Sequence, residues 1–288
     1  MSDPDAGPTP EGTPESSGHV LTPIGVFHGD RRYPYEAPRQ GSLHPEDTDS
    51  GPGRIELLPR SNFEQALGDL RGFDRVWLIF GFHKAPRVRP GDGWKPLVHP
   101  PRGSDRKLGV FATRSPHRPG GLGLSAVRLV SIDRLTLRVD ETDLLDGSPI
   151  FDIKPYVPRY DAFPDARAGW TETEPAARFS VDFTDRARAR MDFLQNAGGP
   201  DLAAFCRLQL EHDPTDGKRK RVRPGSNPET FTLAYRTWRV TFTVNPDASA
   251  VFVHDIDSGY ESFDLAPGAA DPYGDLDLHR AFRERFEA

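Results

Sequence analysis

The chain has 288 residues, 36% hydrophobic and 28% charged, too apolar for wholesale disorder and too polar for a membrane-embedded protein. Its 29 prolines and 27 glycines argue against a helical bundle and for a loop-rich, β-rich chain, while the single cysteine, Cys206, excludes an internal disulfide and a Cys-based zinc cluster. The net charge of −6 looks wrong for a nucleic-acid binder until it is divided along the chain.

Residues 1–18 carry four acids and no base, are rich in Pro, Gly, Ser and Glu, and lack aromatics. They cannot bury enough apolar area to offset ordering entropy and read as a disordered tail with no features of a secretion signal. Strand-like runs follow at 24–27 and 54–58. Ser61-Asn62-Phe63-Glu64 has capping-box spacing and predicts a short helix to about Leu70. The continuous apolar run Val76-Trp77-Leu78-Ile79-Phe80-Gly81-Phe82 predicts a buried strand, because it is short and β-branched or aromatic. Residues 84–107 then read as one long Pro-rich loop. The stretch 84–118 holds nine basic residues against Asp92 and Asp105, an anion-seeking patch inside an acidic chain.

Further strands are predicted at 108–113, 125–132, 135–141 and 178–183. Closely spaced strands without intervening helices indicate an antiparallel barrel or sandwich rather than a doubly wound parallel sheet. Past 184 the composition shifts. Helices are predicted at 186–196 and 201–212, then a basic loop containing Lys218-Arg219-Lys220-Arg221, and strands at 231–237, 239–244 and 251–255. The expected division is a barrel domain at 19–184, a small α+β domain at 185–260, and an acidic C-terminal tail at 261–288.

No nucleotide-binding, metalloprotease or serine-hydrolase signature is present. Pro119-Gly120-Gly121-Leu122-Gly123 leads into a strand, whereas a Rossmann glycine loop must open a helix. Five histidines fall between 28 and 117, but none stands three or four residues from another, so no metal site is expected. His83 directly follows the apolar strand and opens the basic loop, a place where a rigid scaffold presents functional side chains. Pro38-Arg39-Gln40 ends an aromatic-rich loop stiffened by two prolines. Thr113 to Pro119 forms a stiff basic turn and Asp143 to Pro149 an acidic one. Basic and acidic turns at neighbouring strand ends suit a zwitterionic ligand, its carboxylate on Arg and its ammonium on Asp.

Taken in order, these pieces resemble the TsaA-like tRNA methyltransferases. The matching residues are Ile24-Gly25, Pro38-Arg39-Gln40, 76–83, Gly93-Trp94-Lys95-Pro96, Pro100-Pro101-Arg102, 109–116, Arg118-Pro119, Gly123-Leu124-Ser125, 145–149 and 152–158. The likeness covers about residues 21–184. It departs at Gly120, where the family has Asn after Arg-Pro, and at 215–219, where the family has Arg-Pro-x-Tyr after Asp-Pro.

The resemblance implies a mainly β protein: a small antiparallel β-barrel that binds S-adenosylmethionine, with a smaller C-terminal α+β domain, acting as a homodimer. It places the cofactor against Pro38, Arg39, Gln40, His83, Lys84, Arg114, Leu124, Asp143, Leu144, Leu145 and Asp146. The implied reaction is methyl transfer to N6 of threonylcarbamoyladenosine beside the tRNA anticodon, in the cytoplasm, where the lone cysteine also points. Arg102, Arg118, Lys218, Arg219, Lys220 and Arg221 are the residues expected to hold tRNA phosphates, with Trp94 or Tyr35 stacking on a base. The competing reading is a barrel that binds the cofactor or RNA without turnover.

Overall fold

The computed structural model describes residues 20–37, 51–59, 62–86, 93–99, 106–173, 178–217, 221–225 and 227–287. In chain order the first lobe contains β1 (Gly25–Gly29), β2 (Gly53–Leu57), α1 (Phe63–Ala66), β3 (Arg75–Gly81), β4 (Leu97–Val98), β5 (Leu108–Gly109), β6 (Leu122–Asp133), β7 (Thr136–Asp140) and β8 (Pro149–Pro155). Two short helices, α2 (Pro158–Asp161) and α3 (Trp170–Thr173), lead to β9 (Ser180–Phe183). The rest comprises α4 (Asp185–Asn196), α5 (Leu202–Leu210), β10 (Val222–Pro224), β11 (Thr230–Tyr235), β12 (Trp238–Asn245), β13 (Ala250–Ser258) and α6 (Leu276–Phe286).

Six antiparallel strands close a barrel in the order β1-β2-β7-β6-β3-β8, with β8 returning to β1 through Gly25–Ile150 and Val26–Pro149. Closure follows from alternation. Val76, Leu78 and Phe80 of β3, Leu137 and Val139 of β7, Ile55 of β2 and Ile150 of β8 point inward and fill the interior, leaving no free sheet edge. The apolar run of β3 is therefore not buried uniformly, for Trp77 and Ile79 face outward and are only partly covered. The β3–β8 register shifts between Ile79 and Phe80, a bulge at the end of β3 that turns the chain toward His83.

The second lobe is a five-stranded sheet, β10-β11-β12-β13-β9, in which β9 lies parallel to β13. Helices α4 and α5 start at side-chain caps, Thr184 Oγ1 accepting from the Ala187 amide at 3.2 Å and Asp201 Oδ1 from the Ala204 amide at 2.9 Å. Leu194, Phe205, Cys206, Trp238, Phe242, Val253 and Phe282 belong to its core.

Several expectations change. The strand at 178–183 belongs to the second lobe, because Phe183 packs with Ala187 and Met191, so the division falls before residue 180 rather than at 184. Residues 261–288 are not a tail. Within them α6 buries Leu276, His279 and Phe282 at helical spacing, with Phe282 in the second core and Leu278 and Phe286 packed against it, a pattern that net acidity obscured. The expected strand at 108–113 pairs with β4 only through Leu108–Gly109. Val110–Ala112 is a 3-10 turn, which the Thr113 hydroxyl closes by donating to the Val110 carbonyl at 2.8 Å. The helix at 63 stops at Ala66, with Asn62 as N-cap in the left-handed region (φ 73°) and no side-chain cap, while Ser61 lies outside the described residues. The barrel strand β8 and the edge strand β10 had no counterpart in the strand pattern.

Candidate functional site

A cavity of about 710 Å3 opens at one end of the barrel, within the range typical of small-molecule sites. Its floor is the end of β3 with Phe80, Gly81 and Phe82, continued by His83, Lys84 and Ala85. One wall is the start of β6 with Leu122, Gly123, Leu124 and Ser125. The rim is the turn Thr113 to Arg118, and Asp143, Leu145 and Ser148 face it from the loop between β7 and β8. Gly123 is required here, since a Cβ on it would lie 2.3 Å from the Phe80 ring. A side chain would push that ring out of the core.

The polar groups are held by their neighbours. Ser125 Oγ donates to Asp143 Oδ1 at 2.6 Å, and burial pushes the Asp143 carboxyl above its ordinary range against the opposing pull of Ser125, Arg114 and Arg31. His83 Nδ1 lies 3.4 Å from Ser148 Oγ, and the His83 amide donates to the Gly81 carbonyl at 2.9 Å. Burial, then the Lys84 ammonium, lowers the His83 pKa. Around the rim stand Lys84, His99, Arg114, His117 and Arg118. The site thus joins an apolar wall, one buried carboxylate and a cationic edge.

Of the expected cofactor residues, the fold brings His83, Lys84, Arg114, Leu124, Asp143 and Leu145 to this one cavity. Leu144 does not reach it, because alternation within the loop turns its side chain into the barrel core, where it is 1% exposed. Asp146 is outside the lining as well. Its Oδ1 accepts from the Gly29 amide at 3.3 Å and lies 3.6 Å from His28 Nδ1, so it ties the turn to β1. Pro38, Arg39 and Gln40 lie outside the described residues, as do Arg102, Lys218, Arg219 and Lys220. Arg118 lines the cavity rather than a separate surface. Arg221 sits 4.8 Å from the Tyr35 ring centroid, a cation–π contact within the molecule. Tyr35 packs edge-on to Phe205 and Tyr235 of the second lobe, so it is a structural anchor rather than a base-stacking surface. Trp94 lies 5.9 Å from Phe111.

Residues missed by sequence reasoning are Ser125, Ser148, Phe82, His99 and Trp170. Trp170 closes the rim, its indole donating to the Ala112 carbonyl at 2.8 Å. Ser125 had one usable signal, a polar residue at an inward position of a strand. Trp170 had none, for it reaches across 58 residues.

A closed antiparallel barrel with a ligand cavity at its end, formed by strand ends and the turns between them rather than by a strand–glycine loop–helix unit, defines a small-molecule-binding barrel of non-Rossmann type. The model of the tRNA-methyltransferase O N-terminal domain matches residues 26–162, a stretch that holds nearly all of the barrel and every residue of the cavity lining except Trp170. A tRNA (adenine(37)-N6)-methyltransferase of Escherichia coli is 33% identical over 250 residues, covering 85% of this chain and 96% of that protein. A Pseudomonas aeruginosa protein assigned as an S-adenosylmethionine-dependent methyltransferase is 42% identical over 203 residues, 70% of this chain and 84% of its own length. The crystal structure of TrmO from Pseudomonas aeruginosa superposes with a TM-score of 0.59 at 32% identity, covering 85% of this chain and all of that one. The chain belongs to the tRNA-methyltransferase O family.

Proposed function

We propose that the protein transfers a methyl group from S-adenosylmethionine to N6 of the threonylcarbamoyl-modified adenosine beside the tRNA anticodon. The observation that carries this reading is the cavity itself, in which an apolar wall, a buried carboxylate and a cationic rim meet within one volume of about 710 Å3. S-adenosylmethionine fits that donor set. Leu122, Leu124 and Phe82 offer apolar surface to its adenine, Asp143 a carboxylate to its ammonium, and Arg114 a guanidinium to its carboxylate. When bound, the cofactor supplies an electrophilic methyl on a sulfonium.

The protein's own contribution is alignment and exclusion of water, which can provide much of the barrier reduction in an in-line transfer. The acceptor nitrogen is ureido-like and gives up its proton more readily than an amine, so no strong base is required of the chain. Arg118 and Lys84 at the rim, together with Arg102, Lys218, Arg219, Lys220 and Arg221, supply the positive charge for tRNA phosphates. A homodimer is supported by Phe111, an aromatic side chain left 73% exposed beside the cavity rim. Among the described residues no helix is long and apolar enough to cross a membrane.

The deciding experiment is nucleoside mass spectrometry of tRNA carrying the modified adenosine, incubated with protein and cofactor. A gain of one methyl on that nucleoside is expected. Cofactor binding by calorimetry with no methyl gained would establish the non-catalytic binding module instead.

A further inference from the structure

The cavity is bounded on one side by Pro34 and Ala37, which belong to neither β1 nor β2 but to the segment 30–37 that leaves the barrel and runs along the second lobe. Short polar contacts grip that segment from both sides. On the barrel side, the Asp146 amide donates to the Arg31 carbonyl at 2.7 Å, and Arg31 Nη1 to the Thr142 carbonyl at 2.6 Å. Both partners lie in the turn that carries Asp143 and Leu145.

On the other side the centre is Glu36, a charged residue only 4% exposed. Arg236, at the tip of the β11–β12 hairpin and 200 positions away, donates Nε to Glu36 Oε1 at 2.6 Å and Nη2 to Oε2 at 3.1 Å. Its Nη2 also donates to the Asp30 carbonyl at 3.2 Å. Glu36 Oε2 in turn accepts from the amides of Arg32 at 2.7 Å and Tyr33 at 3.1 Å, so one carboxylate folds the segment and receives the guanidinium. Gln209 Nε2 donates to the Tyr35 carbonyl at 2.9 Å, and the Tyr35 ring is held between Tyr33, Phe205, Tyr235 and the Arg221 cation.

The core residue Tyr235 also hydrogen-bonds Glu36, and Tyr35 packs against the second-lobe core, so the segment is docked on that lobe as well as on the barrel. The second lobe's sheet and helices close a core of their own. A buried bidentate pair is costly to desolvate and seldom contributes net stability over an apolar replacement, but it fixes one geometry sharply. The place where it fixes geometry is the wall of the cavity.

We propose that the second lobe sets the shape of the cofactor cavity through the Arg236–Glu36 pair, with Arg236 a positioning residue that never touches the cofactor. The pair holds Pro34 and Ala37 against the cavity, so its loss widens the cavity and raises the cofactor dissociation constant, leaving the chemical step intact once the cofactor is bound. This rests on the cavity being the S-adenosylmethionine site.

The test uses the full chain with Arg236→Gln, Arg236→Lys, the double variant Arg236→Gln/Glu36→Gln, and Gln209→Ala as a milder change that spares the buried charge. Three quantities are read: the calorimetric dissociation constant for S-adenosylmethionine, amide hydrogen exchange of residues 30–37 in cofactor-free protein, and KM and kcat for the cofactor. In the folded variants the dissociation constant and KM should rise tenfold or more for Arg236→Gln and a few-fold for Gln209→Ala. Exchange at Arg32 and Tyr33 should speed up, kcat at saturating cofactor should stay within twofold, and Arg236→Lys should recover part of the loss. If Arg236→Gln does not fold, the double variant, which leaves no buried charge, carries the same expectation.

Unchanged cofactor affinity in any folded variant whose segment exchanges faster would overturn the proposal. So would a fall in kcat with KM unchanged. Wild-type protein that binds no S-adenosylmethionine would overturn the reading of the cavity, a result distinct from a wild type that binds and variants that bind equally well.

Discussion

His83 in the barrel lobe and His279 in the C-terminal lobe each lie against a serine hydroxyl, yet their surroundings differ in kind. His279 is 0% exposed, with Nδ1 at 2.7 Å from Ser258 Oγ and Nε2 at 2.9 Å from Thr237 Oγ1. Its ring stacks on Trp238 at 3.7 Å, and Asp275 completes the network by accepting from Thr237 Oγ1 at 2.6 Å and the Tyr260 hydroxyl at 3.0 Å. Both ring nitrogens are used, and no path leads to them. His83 is held more loosely, 3.4 Å from Ser148 Oγ and against the Asp146 backbone, and its ring lines a cavity. The same contrast separates the buried charges. Arg190 is 5% exposed and is met by the Ile256 carbonyl, Asp255 and Asp257, whereas Asp143, held by the Ser125 hydroxyl and a backbone hydrogen bond, has Arg114 and Arg31 only as more distant charges and lines the cavity. Buried polar groups that are fully partnered hold a lobe together, and those left partly partnered beside a cavity are available to a ligand.

The sharpest break in that comparison comes from the scaffold side. Phe282 is fully buried, meeting Trp238 at 5.1 Å, Phe286 at 5.1 Å and the Arg190 guanidinium at 5.5 Å. Phe282→Ala should destabilise the C-terminal lobe by about 3–5 kcal/mol in urea denaturation. A loss below about 1 kcal/mol would return 276–286 to the status of a tail, since large-to-small changes in a packed core do not cost so little. On the ligand side, Asp143→Asn keeps an acceptor for Ser125 while removing a carboxylate that burial already disfavours. It should leave thermal stability equal or higher and weaken cofactor binding by about 1.5–3 kcal/mol, the cost of a charge-assisted hydrogen bond. A lower melting temperature with normal cofactor affinity would place Asp143 with Arg190 among the scaffold groups. Arg114→Ala, at an exposed rim position, should shift stability by no more than about 0.5 kcal/mol. Its effect belongs in cofactor affinity alone, measured by the same calorimetry.

The two lobes also differed in how far they could be read from sequence. Barrel strands announce themselves by alternation, as in Leu137 and Val139 of β7, or by an apolar run, as in β3. The missing strand, β8, reads Pro-Ile-Phe-Asp-Ile-Lys-Pro, and its outward Asp152 and Lys154, paired at 2.9 Å, disguise an inward Ile150. The cavity was legible because its residues sit at strand ends in short motifs that also carry the family resemblance. Leu144 and Asp146 belong to the same turn but do not line the cavity, since spacing cannot say which side of a loop faces it. The clamp on Glu36 was illegible for a plainer reason. Its partner stands 200 residues away in a hairpin tip with no motif of its own.

The smallest expected effect tests whether His83 is the ligand-facing member of the histidine pair. Burial, and after it the neighbouring Lys84 ammonium, favours the neutral ring and holds its pKa below 6.5. The unfolded chain therefore takes up the proton at a higher pH than the folded chain does. Between 6.5 and the folded value, falling pH favours the unfolded state, so this residue makes stability decline with acidification and contributes no slope above 6.5. His83→Gln, neutral at every pH, should flatten the pH dependence of stability in that window by a fraction of a proton and change nothing at pH 8. In wild-type protein, an NMR titration of the His83 ring should give a midpoint below 6.5. The apolar cofactor wall beside the ring removes more water when a ligand is present, so saturating S-adenosylmethionine should lower that midpoint further. A midpoint at or above 6.5, or one that ignores the cofactor, would mean that solvent rather than the cavity sets the ring's surroundings and that His83 stands outside the site.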